Sequence, residues 1–394
     1  MCAGDLTARG CGAGFHIPMA QPRRPQSRNG FEIAIICALP IERDAIEGLL
    51  DEDYEEDGFS YGKHAMDVNA YTTGRLGNQP VVIAHMPGVG STRMAAVAAN
   101  IRFSFKEIKV CFVVGICSGV PTTATGEEIV LGDVIISTSM VEIEPSRQRS
   151  NKLALKACLG DTLAGANADI LSFFAKVSGR VTIEKIRRNT SVYTAQIVAK
   201  ESLSKSLYPE PAKDQLYPAD HRHKHRQQGS CAVCTDGHEL GDVVCEAAPK
   251  KPCLDLGCHA QLIGRKRLQT AARIAPNGSG ISTAEIKEAR KARIHLGRMA
   301  VADRALRSGQ YRDQIAQHWG VIGFEIERPG TWDYIPTITI KSVCDYADGR
   351  KHHDWRDYSA ATAAACMKAM LEQWRGADPS IPGEVQLYAL TEPS

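Results

Sequence analysis

Four short apolar runs separated by helix-forming stretches constrain this chain most. Phe31-Glu-Ile-Ala-Ile-Ile-Cys-Ala38 is too continuously apolar for a strand with one wet face, and reads as a strand buried on both sides. The residues after it, Leu39 to Leu50, change to helical spacing, and Pro40 suits a first helical turn. Val81 to His85, Val110 to Gly115 and Val134 to Ser137 repeat the apolar run, while Gly88-Val-Gly90 leads into the helix-forming stretch Ser91 to Asn100. Strand, turn, helix, strand predicts an α/β fold around a largely buried sheet.

The pattern then stops. From about Ser146 to Lys291 there are amphipathic helical stretches, Asp169 to Lys176 among them, and then a polar Cys- and His-rich region, with none of the strands expected of a sheet core. This reads as an insertion, irregular over about residues 200–280. Core character resumes at Val321 to Glu325 and Thr337 to Val343, and the Ala-rich run Tyr358 to Trp374 predicts a closing helix. Residues 30–375 are expected to form one domain, preceded by a disordered leader (1–29) without the apolar centre of a secretory signal, and followed by a flexible tail (376–394). The acidic stretch Asp51 to Asp57 reads as a solvated loop.

Charge and hydropathy exclude several partners. Lys+Arg 47 against Asp+Glu 45 leaves a formal net charge of +2, which gives no electrostatic reason to bind nucleic acid or an anionic membrane. The basic run His221-Arg-His-Lys-His-Arg226 lacks the interleaved aromatics of a nucleic-acid surface. No apolar stretch approaches the about 18 residues that span a bilayer, so a cytoplasmic protein is expected. Cys37, Cys111, Cys344 and Cys366 lie inside apolar runs, as small buried hydrophobes do. The middle cluster differs: Cys231-Ala-Val-Cys234, Cys245, Cys253 and Cys258-His259, with His221, His223 and His225 just upstream, includes a pair at structural-zinc spacing. Cys231, Cys234, Cys253 and Cys258 are the candidate zinc ligands, and a metal-free basic loop is the alternative.

Three carboxylates sit beside strand ends, where open α/β sheets place their ligand crevices. Glu42 follows the first strand, Glu327 follows Val321 to Glu325, and Asp345 ends the strand that begins at Thr337. Each alone has a structural alternative, as a helix-dipole partner or a loop cap.

Together with their surroundings they resemble a known family. Ile33-Ala-Ile-Ile-Cys-Ala-Leu-Pro-Ile-Glu42, Gly88-Val-Gly90, Val114-Gly-Ile-Cys-Ser-Gly119, Leu131-Gly-Asp-Val134, Gly323-Phe-Glu-Ile-Glu327 and Lys341-Ser-Val-Cys-Asp-Tyr-Ala-Asp348 occur in the order seen in the purine nucleoside phosphorylase and nucleosidase superfamily. The chain looks closest to its fungal branch, which often stands at the front of NLR-like multidomain proteins and is similar to methylthioadenosine/S-adenosylhomocysteine nucleosidases. The resemblance implies a three-layer fold with a central mixed sheet flanked by helices, plus the Cys/His-rich insertion. It also implies cleavage of a purine N-glycosidic bond without metal or organic cofactor, and a homo-oligomer.

That chemistry builds positive charge on the ribose and negative charge on the departing purine, so it calls for an acid at the base and anionic or hydroxyl-gripping groups at the sugar. By similarity, Asp345 would donate a proton toward N7, Glu327 would grip the ribose hydroxyls, and Glu42 would orient or deprotonate the attacking water. Gly88, Gly115, Cys117, Ser118, Glu325 and Ile326 would contact substrate, as would Ala305 and Leu306 beyond the segment Gly297 to Asp303. Ile326 stands where the family usually has a methionine beneath the sugar, and Arg328-Pro329 departs from the small residues common after the ribose glutamate. Val113 and Ile116 occupy the places of the phosphate-binding arginine and serine of hexameric-type phosphorylases, which favours water over phosphate as nucleophile. Arg43, Arg93 and Arg328 could meet a 5′-phosphate chain, so the substrate is expected to be a purine nucleoside or a nucleotide such as ATP or dATP. The rival readings are a phosphate-dependent phosphorylase and a catalytically quiet purine sensor.

Overall fold

The fold is taken from a computed structural model that describes residues 24–88, 90–144, 156–160, 168–226, 231, 234, 245, 247–248, 251, 253–257, 261–273, 282–302, 306–326 and 334–374. Its strands are β1 (Ile33–Cys37), β2 (Glu52–Asp53), β3 (Ala70–Leu76), β4 (Gln79–His85), β5 (Val110–Gly119), β6 (Val134–Glu144), β7 (Lys156–Gly160), β8 (Ile294–Ala302), β9 (Val321–Glu325) and β10 (Thr337–Asp345). The helices are α1 (Pro40–Glu47), α2 (Ser91–Ser104), α3 (Ala168–Val177), α4 (Arg180–Val198), α5 (Cys253–Leu256), α6 (Lys266–Ala271), α7 (Thr283–Arg290), α8 (Gly309–Trp319) and α9 (His353–Leu371).

All ten strands join one mixed sheet. β1 lies between β4 and β5 and is parallel to both, and β5 is also parallel to β10. β3 and β2 extend the β4 edge antiparallel. On the other side β10 pairs antiparallel with β6, β6 parallel with β8, and β8 parallel with β9. β9 then meets the end of β5 antiparallel, so the ladder closes on itself through five strands.

Side-chain alternation explains why both faces are covered. Ile33 and Ile35 of β1 share one face with Val81, Ile83, Val110 and Phe112, under α1, α4 and α9. Ala34 and Ile36 share the other with Val82, Ala84, Cys111 and Val113, under Met94, Val97, Ala98 and Ile101 of α2. The expected central mixed sheet flanked by helices is therefore what this chain forms. No helix among the described residues is long and apolar enough to cross a membrane.

Several elements differ from the sequence reading. β5 continues past Gly115 to Gly119, because its polar end pairs with β10 and β9. The stretch expected to lack strands contains β7, which pairs with β6, and α4, whose Ile186 and Ile197 belong to the sheet core. β3, β8 and α8 were not anticipated. Gly297 and Arg298 interrupt the apolar run of β8, and the interruption hides a strand whose register only its neighbours define.

The Leu131-Gly-Asp-Val134 motif has a structural role. Asp133 is fully buried, and its carboxylate accepts from the Arg267 guanidinium at 2.6 and 2.8 Å and from the Val130 and Arg293 amides. Burial by itself would raise its pKa, but Arg267 and His295 outweigh it and hold the carboxyl well below the usual range. Gly132 precedes it at φ +89, where a side chain would run into Tyr358. Because removing one partner of a buried pair leaves the other uncompensated, Arg267→Met should cost about 3–5 kcal/mol. Urea denaturation monitored by circular dichroism checks this, and a loss below about 1 kcal/mol, the range of exposed pairs, would contradict it.

Candidate functional site

β1, β4, β5 and β10 run in one direction, so the segments leaving their C-terminal ends meet at one edge of the sheet. Those segments carry Glu42, Gly88, Ile116 to Gly119, and Asp345.

Glu42 is the third residue of α1, and its side chain folds back over the strand end. Oε2 accepts the Ala38 and Leu39 amides at 2.9 Å each, and Oε1 accepts the Ile116 amide at 2.9 Å. Gly115 makes this seat possible, since a Cβ there would overlap the carboxylate. Glu42 is 2% exposed. Burial raises its pKa, and the Lys341 charge and the Ile116 and Leu39 amides offset only part of the rise. A carboxylate tuned upward in this way is better matched to taking a proton near neutrality.

Lys341 was quoted in a motif but given no role. It lies on β10 in register with Gly115, is 3% exposed, and places Nζ 2.7 Å from Glu325 Oε2. Glu325 Oε1 in turn accepts the Ile326 amide at 3.0 Å. A lysine inside a fully buried strand is the signal that could have found it, because an unpaired ammonium there would be too costly to keep.

Asp345 stands opposite Ser118 of β5, just after a shift in register. The Ser118 hydroxyl donates to Oδ1, which also accepts the Ala347 amide at 3.1 Å, and the Lys351 ammonium lies 3.0 Å from Oδ2. Asp345 is the main reason the Lys351 pKa is raised. Ala347 takes φ +54, a left-handed conformation that is uncommon for alanine, at the point where its amide reaches this carboxylate.

The two acids thus attach to β5 at residues two apart. Ile116 and Ser118 share its half-open face, while Cys117 turns to the buried side, where burial drives its thiol pKa up. The Cys344 thiol is pushed up first by burial and then by Asp345, with Glu42 adding to the effect. Both carboxylates therefore bear on one neighbourhood.

The remaining predicted contacts are placed as follows. Gly88 adopts φ +151 after β4, with Arg93 packed where a side chain would be. Ile326 is 49% exposed, directly after the Glu325 and Lys341 pair. Leu306 is half-buried beside the bridge between Arg307 and Asp348. Arg43 pairs with Asp44 at 2.8 Å. Glu327, Arg328, Pro329 and Ala305 lie outside the described residues. A cavity of about 450 Å³ lined by Arg187, Arg188, Lys291 and Arg293, among others, shares no residue with this edge of the sheet.

Two of the four expected metal ligands fall in one cluster among the described residues. Cys231 and Cys234 converge with His225 and Cys245, and the four ligand atoms lie within 4.8 Å of one another. Of the other two expected ligands, the side chain of Cys253 and the whole of Cys258 lie outside the described residues.

No protein-family model matches the chain. A nucleotide-binding leucine-rich repeat (NLR)-like protein of Hyaloscypha variabilis is 25% identical over 352 residues, covering 89% of this chain. The chain spans about 30% of the length of that relative. Among solved structures, a Streptococcus pneumoniae MTA/SAH nucleosidase in complex with 8-aminoadenine is 14% identical over 87% of this chain and 100% of its own, with a TM-score of 0.44. Futalosine hydrolase of Helicobacter pylori is 11% identical over 88% and 100%, at 0.43. The Neisseria meningitidis 5′-methylthioadenosine/S-adenosylhomocysteine nucleosidase with methylthio-immucillin-A is 14% identical over 87% and 99%, at 0.41. Likeness at these scores carries no inference about substrate.

Glu42 makes a pH-dependent contribution with a definite sign. Its folded pKa is raised, so the folded chain holds the proton more tightly than the unfolded chain does. The stability this adds is complete below the ordinary value of 4.5 and is lost as pH rises through the folded value. Relative to Glu42→Gln, which does not titrate, the wild type should have its largest stability advantage near pH 4.5 and a smaller one at neutral pH. Urea midpoints of both proteins across that window test this, and an advantage that grows with pH would refute the burial assignment.

Proposed function

We propose that this chain is a purine nucleoside or nucleotide N-ribosyl hydrolase, releasing free base and ribose or ribose phosphate. The observation that carries this reading is the attachment of Glu42 and Asp345 to one short stretch of β5, through the Ile116 amide and the Ser118 hydroxyl. The ordered motifs and the NLR-like relative support it as well.

In this reading the N9–C1′ bond breaks as its electron pair withdraws into the purine, and a proton delivered toward N7 neutralises the leaving base. Asp345 carries that proton, and the Lys351 ammonium and Ser118 hydroxyl are the hydrogen donors on it. Water adds to C1′ and loses a proton to Glu42, whose raised pKa suits the task. Glu327 grips the ribose hydroxyls, as the family resemblance implies. Hydrolysis rather than phosphorolysis is favoured because the buried cation beside Glu42, Lys341, is already paired with Glu325 at 2.7 Å. A phosphate dianion there would compete with two carboxylates for it.

Incubation with adenosine, methylthioadenosine, ATP and dATP, with and without phosphate, should release adenine from at least one of them without phosphate. Chromatography of the products reads this directly. Asp345→Asn should lower the rate about 10²–10⁴-fold, the usual contribution of a positioned acid or base, while the circular dichroism spectrum is kept. Undiminished turnover would remove the acid assignment, and phosphate-dependent formation of ribose 1-phosphate would replace hydrolysis with phosphorolysis.

A further inference from the structure

The cluster at His225, Cys231, Cys234 and Cys245 lies in the insertion and plays no part in the chemistry above. Its dimensions are informative. Zn–S bonds of about 2.3 Å and Zn–N bonds of about 2.0 Å, set tetrahedrally, require S···S edges of about 3.8 Å and S···N edges of about 3.5 Å. The Sγ atoms of Cys231 and Cys245 are 3.8 Å apart, and His225 Nδ1 lies 3.5 Å from Cys234 Sγ and 3.7 Å from Cys245 Sγ. None of these three cysteines is in a disulfide. The Cys234 amide bonds back to the Cys231 carbonyl at 3.2 Å.

We propose that these four residues bind one Zn²⁺ in a closed, structural Cys₃His site. Three thiolates and the ion leave a net charge of −1, and the insertion supplies cations to meet it. Lys224 Nζ reaches the Cys234 carbonyl at 3.3 Å, so the basic run around His225 has a partner that sequence alone did not reveal. The apolar residues buried near the cluster among the described residues are few, Ala248 and Leu256 among them, and a metal supplies stability that so thin a core lacks.

The clip would also fasten the insertion to the loop that leaves β10. His223, two residues before the histidine ligand, bonds the Lys251 carbonyl at 3.2 Å through Nε2 and accepts from Arg350 Nε at 3.4 Å through Nδ1. The Arg350 guanidinium lies 3.2 Å from the centroid of the Tyr217 ring and pairs with Asp348. Lys351 follows immediately and holds Asp345. A metal there would brace the loop that carries Lys351 through His223 and Arg350.

The full chain, purified without a metal-affinity step and dialysed against metal-free buffer, should retain one zinc per chain by elemental analysis. Cys234→Ser and Cys245→Ser should lower zinc to background, Cys253→Ser should leave it unchanged, and His225→Cys should keep it. Should the serine variants fail to fold, Co²⁺ exchanged into the unmodified chain gives an independent reading. A four-coordinate thiolate site shows intense visible d–d bands and a thiolate-to-cobalt charge-transfer band. Background zinc in a native chain supplied with stoichiometric Zn²⁺, full zinc in Cys234→Ser, or the weak spectrum of six-coordinate cobalt would each overturn the proposal. These readouts do not involve nucleoside turnover, so the metal site and the hydrolase reading stand or fall separately.

Discussion

A carboxylate and an ammonium buried side by side in an apolar sheet are tolerated only if nearly every polar atom has a partner. Glu42 meets that condition with three backbone amides, and Lys341 meets it with Glu325. The rest of this edge follows from satisfying those two charges. α1 must begin immediately after β1 for its third residue to reach back. β5 must pass beneath it with no side chain at Gly115. β10 must lie in the register that sets Lys341 across from that glycine.

β5 accordingly does more than any other strand. It is parallel to β1 over Val110 to Val113 and to β10 over Cys111 to Ser118, and antiparallel to β9 at its tip, so it closes the ring of five strands. It also presents Ile116 to one acid and Ser118 to the other. The two sites differ electrostatically. Burial leaves Glu42 with a raised pKa that its amide donors and the Lys341 charge offset only in part, whereas Asp345 carries a half-exposed ammonium on one oxygen and a hydroxyl on the other.

Besides apolar contacts such as those of Ile186, Ile197 and Leu216, the insertion is joined to the core by arginines. Arg267 neutralises Asp133, Arg265 donates to the Pro121 and Ile129 carbonyls at 2.7 Å each, and Arg350 reaches back from the core side to His223. Planar guanidinium groups with several fixed donors suit this task, since each can satisfy carbonyls and carboxylates that a loop crossing would otherwise leave buried without partners.

Periodicity in the chain was enough to determine the alternation of buried strands and helices, the placement of α1 and α9, and the presence of acids at strand ends. All of these depend on residues within one turn or one strand of each other. The roles of Lys341 and Lys351, the meeting of Cys231 and Cys234 with His225 and Cys245, and the strand character of β8 were decided by the tertiary structure. So was the meeting of Glu42 with Ile116, 74 residues away, and of Asp345 with Ser118, 227 residues away. The reason is physical: a polar side chain declares its type locally, but whether it is a ligand, a counter-ion or a cap depends on which distant group strand register and loop closure bring within about 3 Å of it.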